Sequence, residues 1–213
     1  MRASARHHPG NGRLRLRCWD GARAGGRAWL LALLLGLLGA SWTTSAEDRI
    51  SVSHATVTVR SGADPGTFVD AQFDLELPSS LREAVDHGIA LYFVIELEVS
   101  RSRWYWFDKR LLDDAIEYRL SFSPLTRQYR LARGGLAQPF DSLDQALATM
   151  RRVTQWRVGD ASLFTGSSTH GQIRMRLDTS MLPKPFQVSA LTDPDWKLES
   201  DWSRLLRTKD DTN

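Results

Sequence analysis

The sequence predicts a mainly β fold, either an antiparallel β-sandwich or a partly open barrel, with two short helices. After residue 46, apolar and polar residues alternate in segment after segment, which is typical of strands with one buried and one solvated face. About eight such segments are separated by turn residues, chiefly Gly, Pro, Ser and Asp. Only two stretches carry a helical pattern, so the strands define the fold class.

The clearest strand is Phe68–Leu77, in which every second residue is apolar. We expect one set to face the core and the other to face solvent. The inward set is Val69, Ala71, Phe73, Leu75 and Leu77, and the outward set is Asp70, Gln72, Asp74 and Glu76. The other predicted strands are Ile50–Arg60, Ile89–Val99, Ile116–Phe122, Gln128–Ala132, Gln155–Val158, Gln172–Asp178 and Phe186–Leu191, followed by an alternating segment, Trp196–Trp202.

Two short helices interrupt the strands. Ser80 and Glu83 have the spacing of a capping box, which predicts the start of a helix. Gly88 is placed to end this helix. A second helix is predicted over Ser142–Arg152, beginning at Asp141 or Ser142. Pro183 and Pro185 are expected to stiffen the chain before the strand Phe186–Leu191.

The N-terminus has the layout of a secretory signal. Seven arginines precede the apolar run Ala28–Ala40, and small residues, Thr44 and Ala46, follow it. As a helix this run spans about 20 Å, which is shorter than the roughly 30 Å hydrocarbon core, so cleavage fits better than a membrane span. We expect residues 1–46 to be a signal peptide or an uncleaved anchor and residues 47–213 to form one exported domain, either periplasmic or anchored in the inner membrane and facing the periplasm.

The charge of the exported part argues against a nucleic-acid partner. The whole chain has a formal charge of +3, but residues 47–213 hold 21 basic and 24 acidic side chains. The basic excess therefore belongs to the N-terminal segment. Cys18 also lies in that segment, so the exported part has no disulfide, cysteine nucleophile or thiolate metal site.

The most unusual local feature is an aromatic run, Trp104, Tyr105, Trp106 and Phe107, which follows Arg101 and Arg103. Strand alternation would place the two tryptophans on one face and Tyr105 and Phe107 on the other. If both faces of the strand are covered, the four rings belong to the hydrophobic core, which is where clustered aromatic side chains are found more often. With one pair exposed, these six residues form a binding surface for a glycan, a lipid headgroup or a protein.

No pattern of catalytic, cofactor-binding or metal-binding residues is present in the sequence. Glu96 and Glu98 share a strand face and provide a possible carboxylate pair for hydrolysis, but the same pattern is ordinary on solvated sheet faces. His54, His87 and His170 lack the spacing of a zinc site. The segment 166–171 is predicted to be a loop, and Arg174 and Arg176 are expected to pair with acidic side chains across strands.

Several strings in this order resemble a proteobacterial family of exported proteins, the domain of unknown function 4390. They are Arg101–Asp108, Leu125–Leu131, Leu177–Asp178 with Leu182–Gln187, and Asp195–Trp196 with Ser200–Trp202. The resemblance spans the exported domain and implies an envelope protein of Gram-negative bacteria. The family has no accepted catalytic residues, so the resemblance assigns none to this chain.

These observations favour a non-enzymatic binding or accessory module that needs no cofactor. The expected partner is an envelope or membrane protein, such as a membrane sensor, and the membrane itself is contacted only through an uncleaved N-terminal segment. The alternative is a domain that binds a glycan or a lipid headgroup through Trp104–Phe107. A carboxylate-dependent hydrolase is the third hypothesis.

Overall fold

The computed structural model describes residues 49–62, 64–105, 107–164, 166 and 168–208. The predicted signal or anchor, residues 1–46, lies outside these ranges. Within them, ten strands form two sheets. The strands are β1 (Ile50–Arg60), β2 (Gly66–Leu75), β3 (Leu91–Arg101), β4 (Lys109–Ser123), β5 (Gln128–Arg133), β6 (Leu136–Phe140), β7 (Arg152–Gly159), β8 (Thr169–Leu177), β9 (Ser203–Arg204) and β10 (Leu206–Thr208).

The smaller sheet has the order β10-β1-β2-β7, and the larger has the order β6-β5-β4-β3-β8-β9. All pairings are antiparallel except that of β1 with β10. This confirms the mainly β, sandwich-like prediction, since the sheets do not close into a barrel in the described part of the chain. The chain crosses from the larger to the smaller sheet at Leu205, between β9 and β10.

Both sheets and all three helices of the described residues contribute to one hydrophobic core. The predicted faces of β2 are confirmed, because Val69 and Phe73 are buried whereas Gln72 and Asp74 are exposed. From the larger sheet, Phe93, Ile95, Leu97, Leu120, Ile173 and Met175 are fully buried. The strict alternation in the sequence therefore identified the core face of each central strand.

The structure contains three helices in its described part: α1 (Ser79–Asp86), α2 (Leu143–Met150) and α3 (Lys184–Thr192). Helix α2 has the predicted cap, since the Ser142 side chain accepts a hydrogen bond from the Gln145 N–H at 3.3 Å. It ends two residues before the predicted Arg152. No helix in the described ranges is long and apolar enough to cross a membrane.

The predicted capping box of α1 is wrong. The N-cap is Pro78, without a side-chain cap, and Ser80 lies inside the first turn, where its hydroxyl donates to Asp195 at 3.1 Å. Gly88 does end the helix, with φ of +87° after the cap residue His87. A left-handed residue at this place suits glycine because it has no Cβ.

The predicted strand Phe186–Leu191 is also wrong, because these residues belong to helix α3. Pro183 caps this helix and Pro185 lies in its first turn, where the missing proline N–H costs no intrahelical hydrogen bond. Strand β6 was not predicted. Gly134 and Gly135, both with positive φ, form the two-residue turn that pairs β6 with β5.

Candidate binding surface at the β3–β4 hairpin

The aromatic run lies at the tip of the hairpin formed by β3 and β4. Trp104, Tyr105 and Phe107 are 93%, 67% and 86% exposed, respectively. Trp104 and Tyr105 lie in a turn, with ring centroids 5.2 Å apart and planes inclined by 74°. The predicted alternation of a strand therefore does not extend through these residues. Trp106 lies outside the described residues.

The hairpin ends in a pair of like charges. Arg101, the last residue of β3, lies directly opposite Lys109, the first residue of β4. Cross-strand partners share a face, so the two cations are neighbours, which is unfavourable in the isolated hairpin. Within the described residues neither side chain has an ion pair, and Arg103 has none either. The tip therefore presents three cations that are free to meet an anionic partner. We call Arg101, Arg103, Trp104, Tyr105, Phe107 and Lys109 the aromatic–basic tip.

A contact with β8 holds the base of this tip. The Ser102 N–H donates to the Ser168 carbonyl at 2.9 Å. The Ser102 hydroxyl lies 3.4 Å from both Asp108 Oδ2 and His170 Nδ1, and His170 Nε2 lies 3.5 Å from the same carboxylate oxygen. The three side chains form a closed triangle of weak contacts, in which the serine hydroxyl donates to the carboxylate. A nucleophilic serine needs a histidine that relays its proton, so this arrangement is not that of a hydrolase triad.

The sequence does not indicate this cluster, because the Gly-, Ser- and Thr-rich segment 166–171 predicts a loop at His170. The structure shows instead that Thr169, His170 and Gly171 begin β8, where His170 pairs with Ser100 of β3. His54 is exposed, and His87 contacts the carbonyl of its own helix residue Glu83 at 2.7 Å. In the described residues no three His, Cys, Asp or Glu side chains are grouped for a metal ion.

Glu96, one of the two candidate carboxylates, is held by arginines. Arg174 and Arg176 donate to its two oxygens at 2.6 and 2.8 Å. Burial acts to raise the pKa of Glu96, but the two hydrogen bonds and the charges of the arginines outweigh it and hold this pKa below its ordinary value. A general acid in glycoside hydrolysis needs the opposite shift.

The other members of this face are also paired. Glu98 lies 3.3 Å from Arg110 and accepts from Gln172 at 3.1 Å. Arg174 donates a hydrogen bond to Glu199, and its guanidinium carbon lies 4.5 Å from the centroid of the Trp202 ring. The prediction that Arg174 and Arg176 pair with acidic residues across strands is therefore confirmed. This face is a network of mutually neutralised charges, in contrast to the tip.

Comparison with known proteins identifies a family. No curated protein and no solved structure matches the chain. One family model, described as a domain of unknown function (DUF4390), matches residues 47–206. That range begins at the boundary proposed for the exported domain and includes β1 to β9, the hairpin tip and the Glu96 network. The chain therefore belongs to the family of the domain of unknown function DUF4390.

Proposed function

We propose that this protein is an exported binding module whose aromatic–basic tip contacts an anionic lipid surface from the periplasmic side. The observation that carries the proposal is the exposure of three neighbouring aromatic side chains beside unpaired cations. Both features are costly in an isolated domain, and both become favourable at a membrane interface.

The aromatic side chains suit the interfacial region of a bilayer. Trp104 and Tyr105 combine an apolar ring with a polar N–H or O–H group, and such side chains are enriched at the level of lipid headgroups. Phe107 adds apolar surface that water does not solvate favourably. Clustered exposed aromatics on a soluble domain mark a surface that something covers.

The charges favour an anionic surface. The aromatic–basic tip holds three cations without an ion pair in the described residues, beside the single carboxylate of Asp108, whereas residues 47–213 as a whole carry more acidic than basic groups. The field of the domain therefore directs the tip, and not the rest of the surface, toward anionic headgroups. Each cation near such a surface contributes about 1 kcal/mol. An anion between Arg101 and Lys109 would also relieve their repulsion.

The shape of the tip favours a lipid surface over the two other ligands expected from the sequence, a glycan and a protein. Glycan binders stack sugars on flat aromatic platforms, but the rings of Trp104 and Tyr105 meet edge to face. A protein partner such as a membrane sensor would bury a broad complementary face, of the order of 800 Å² on each partner. A small protruding tip fits shallow insertion between headgroups. Membrane contact would then involve the folded domain as well as any uncleaved N-terminal segment.

The test measures contact between the Trp104 side chain and lipid. Binding of the whole protein to membranes is not a suitable measure, because the N-terminal apolar segment would cause it without the tip. The full chain is reconstituted in vesicles that contain brominated lipids, which quench tryptophan fluorescence on contact. The Trp104 signal is the difference between the wild-type protein and Trp104→Phe. We expect strong quenching in vesicles rich in phosphatidylglycerol, weak quenching in phosphatidylcholine, and a large loss in the double variant Arg101→Gln/Lys109→Gln.

The matched control is Leu125→Ala, which removes an equally exposed apolar side chain, 95% accessible, from the β4–β5 turn. It should leave the Trp104 quenching unchanged. Absence of quenching in both kinds of vesicle would refute lipid contact. Crosslinking of the tip to a protein, or protection of Trp104 by oligosaccharides, would instead identify one of the two other occupants.

A further inference from the structure

A small cleft lies where the two sheets meet, close to the base of the hairpin tip. It has a volume of about 330 Å³ and a floor formed by Val57 of β1, Phe164 and Leu205. Its polar lining residues are Ser102, Ser168, Thr169, His170, Arg204 and Arg207. The cleft lies beside Leu205, where the chain passes from β9 of the larger sheet to β10 of the smaller one.

The polar lining is cationic and rich in hydroxyl groups. No carboxylate is among the lining residues that the structure describes. Arg207 is fixed in place, since it donates to the Phe164 carbonyl and lies 5.8 Å from the ring of the same residue. The Arg204 side chain, by contrast, makes no hydrogen bond or ion pair within the described ranges. One arginine is therefore preorganised and the other is free to close on a ligand.

Thr169 contributes an unsatisfied hydroxyl group. Its Oγ1 is shielded from solvent and has no hydrogen-bond partner among the described residues. A buried hydroxyl without a partner costs roughly 1–3 kcal/mol, so an acceptor is expected near it. The neighbouring lining residue Ser168 provides a second hydroxyl group, whereas the Ser102 hydroxyl already donates to Asp108.

We propose that this cleft binds a phosphoryl group, held by Arg204 and Arg207 with hydroxyl donors from Ser168 and Thr169. Arginine presents a planar fork of donors that matches the oxygens of a phosphate, and hydroxyl groups complete its coordination. The volume is at the lower end of the range for small-ligand sites, which suits a headgroup-sized molecule. The apolar floor accommodates the carbon atoms of a phosphate ester.

The phosphoryl group has two possible sources, a lipid headgroup or a soluble phosphate ester. Ser102 belongs both to the cleft and to the segment that carries the tip, so a lipid that meets the tip lies near the cleft. The site does not depend on lipid contact, because every group in it is supplied by the folded domain. The experiment therefore begins with a soluble probe.

The full chain, purified in an uncharged detergent, is titrated with glycerol phosphate by calorimetry, with glycerol as the blank. We expect saturable binding of glycerol phosphate alone. Arg204→Gln should weaken it about tenfold, as expected for the loss of a charge-assisted hydrogen bond. Thr169→Val should also weaken it without lowering the melting temperature, since the hydroxyl has no partner in the free protein. Thr169→Ser, which retains the hydroxyl, should bind normally.

The control is Arg130→Gln, which removes an exposed arginine from β5, away from the cleft. It should leave binding unchanged. Absence of saturable binding, or equal binding by Arg204→Gln and the wild-type protein, would overturn the proposal. Competition by phosphatidylglycerol vesicles identifies the lipid source, and its absence identifies a soluble ester. Arg101→Gln/Lys109→Gln, which keeps Trp104 and changes no residue of the cleft, should remove most of the Trp104 quenching and leave glycerol phosphate binding intact, so the two proposals fail separately.

Discussion

The hydroxyl of Tyr129 donates a 2.6 Å hydrogen bond to the carboxylate of Asp86, which ties strand β5 to the end of helix α1. This bond, together with burial and the negative charge of Asp86, raises the pKa of Tyr129 from its ordinary 10.0 to about 12. The protonated tyrosine is therefore favoured in the folded protein, and the stabilisation should depend on pH.

Asp86→Asn should return the Tyr129 titration toward that of an ordinary tyrosine. Because the pKa is higher in the folded than in the unfolded state, the stabilisation is present below pH 10.0 and is lost as the pH rises to about 12. Tyrosinate absorbance, as the difference from Tyr129→Phe, measures the shift. Asp74→Asn, on β2, is the control and should change nothing. An unaltered titration in Asp86→Asn would show that the bond is not made.

Phe73→Ala and Asp74→Ala test the assigned faces of β2. Phe73 is 1% exposed and packs in the core, so its truncation should cost about 3–5 kcal/mol. Asp74 is exposed, and its substitution should cost less than about 0.5 kcal/mol. Urea midpoints measure both values. Equal shifts of the midpoint would mean that the two faces are assigned wrongly.

Gly171→Ala should destabilise the corner between the sheets. A Cβ at this position would lie 2.7 Å from Leu205 Cδ1 and 3.0 Å from Phe164 Cζ, so the packed side chains would have to move. We expect a cost of about 1–3 kcal/mol from overpacking. In a Leu205→Ala background the same substitution should cost clearly less, because the nearest atom is gone. Equal costs in the two backgrounds would exclude a steric origin.

Glu96→Gln tests the arginine clamp on the larger sheet. At neutral pH the loss of charge should cost about 1 kcal/mol, as for a partly exposed ion pair. The pKa of Glu96 is lowered in the folded protein, so this stabilisation is present above the ordinary value of 4.5 and is lost as the pH falls below it. Urea unfolding at several pH values measures the difference. Glu117→Gln, an exposed carboxylate on β4, is the control and should have little effect.

Export is tested on the protein isolated from cell envelopes. Mass spectrometry should find a mature N-terminus at or near Glu47, because the apolar run is short and Ala46 provides a small residue before the cleavage point. Detection of intact residues before Ala40 would show an uncleaved anchor. Either result is compatible with a domain that faces the periplasm, whereas recovery only from the cytoplasm would contradict export.

The faces of the central strands followed directly from the sequence. In β2 and β8 every second residue is apolar, and a strand turns successive side chains to opposite sides, so Phe73 and Met175 had to share the core while Asp74 and Arg174 did not. The turn between β5 and β6 also has a local sequence cause, since the adjacent Gly134 and Gly135 adopt the positive φ angles that such a turn requires. The error in α3 has a local cause too, since prolines start a helix as readily as they stiffen an extended segment.

The exposure of the tip and the composition of the cleft were decided only by tertiary structure. The sequence around Trp104 is compatible with a core strand or a surface turn, and the choice depends on where the pairing of Arg101 with Lys109 ends the hairpin. Ser102 and His170 are 68 residues apart and meet because β3 pairs with β8. Alternation fixes which face a residue occupies, but strand order and register determine which distant residues lie beside it.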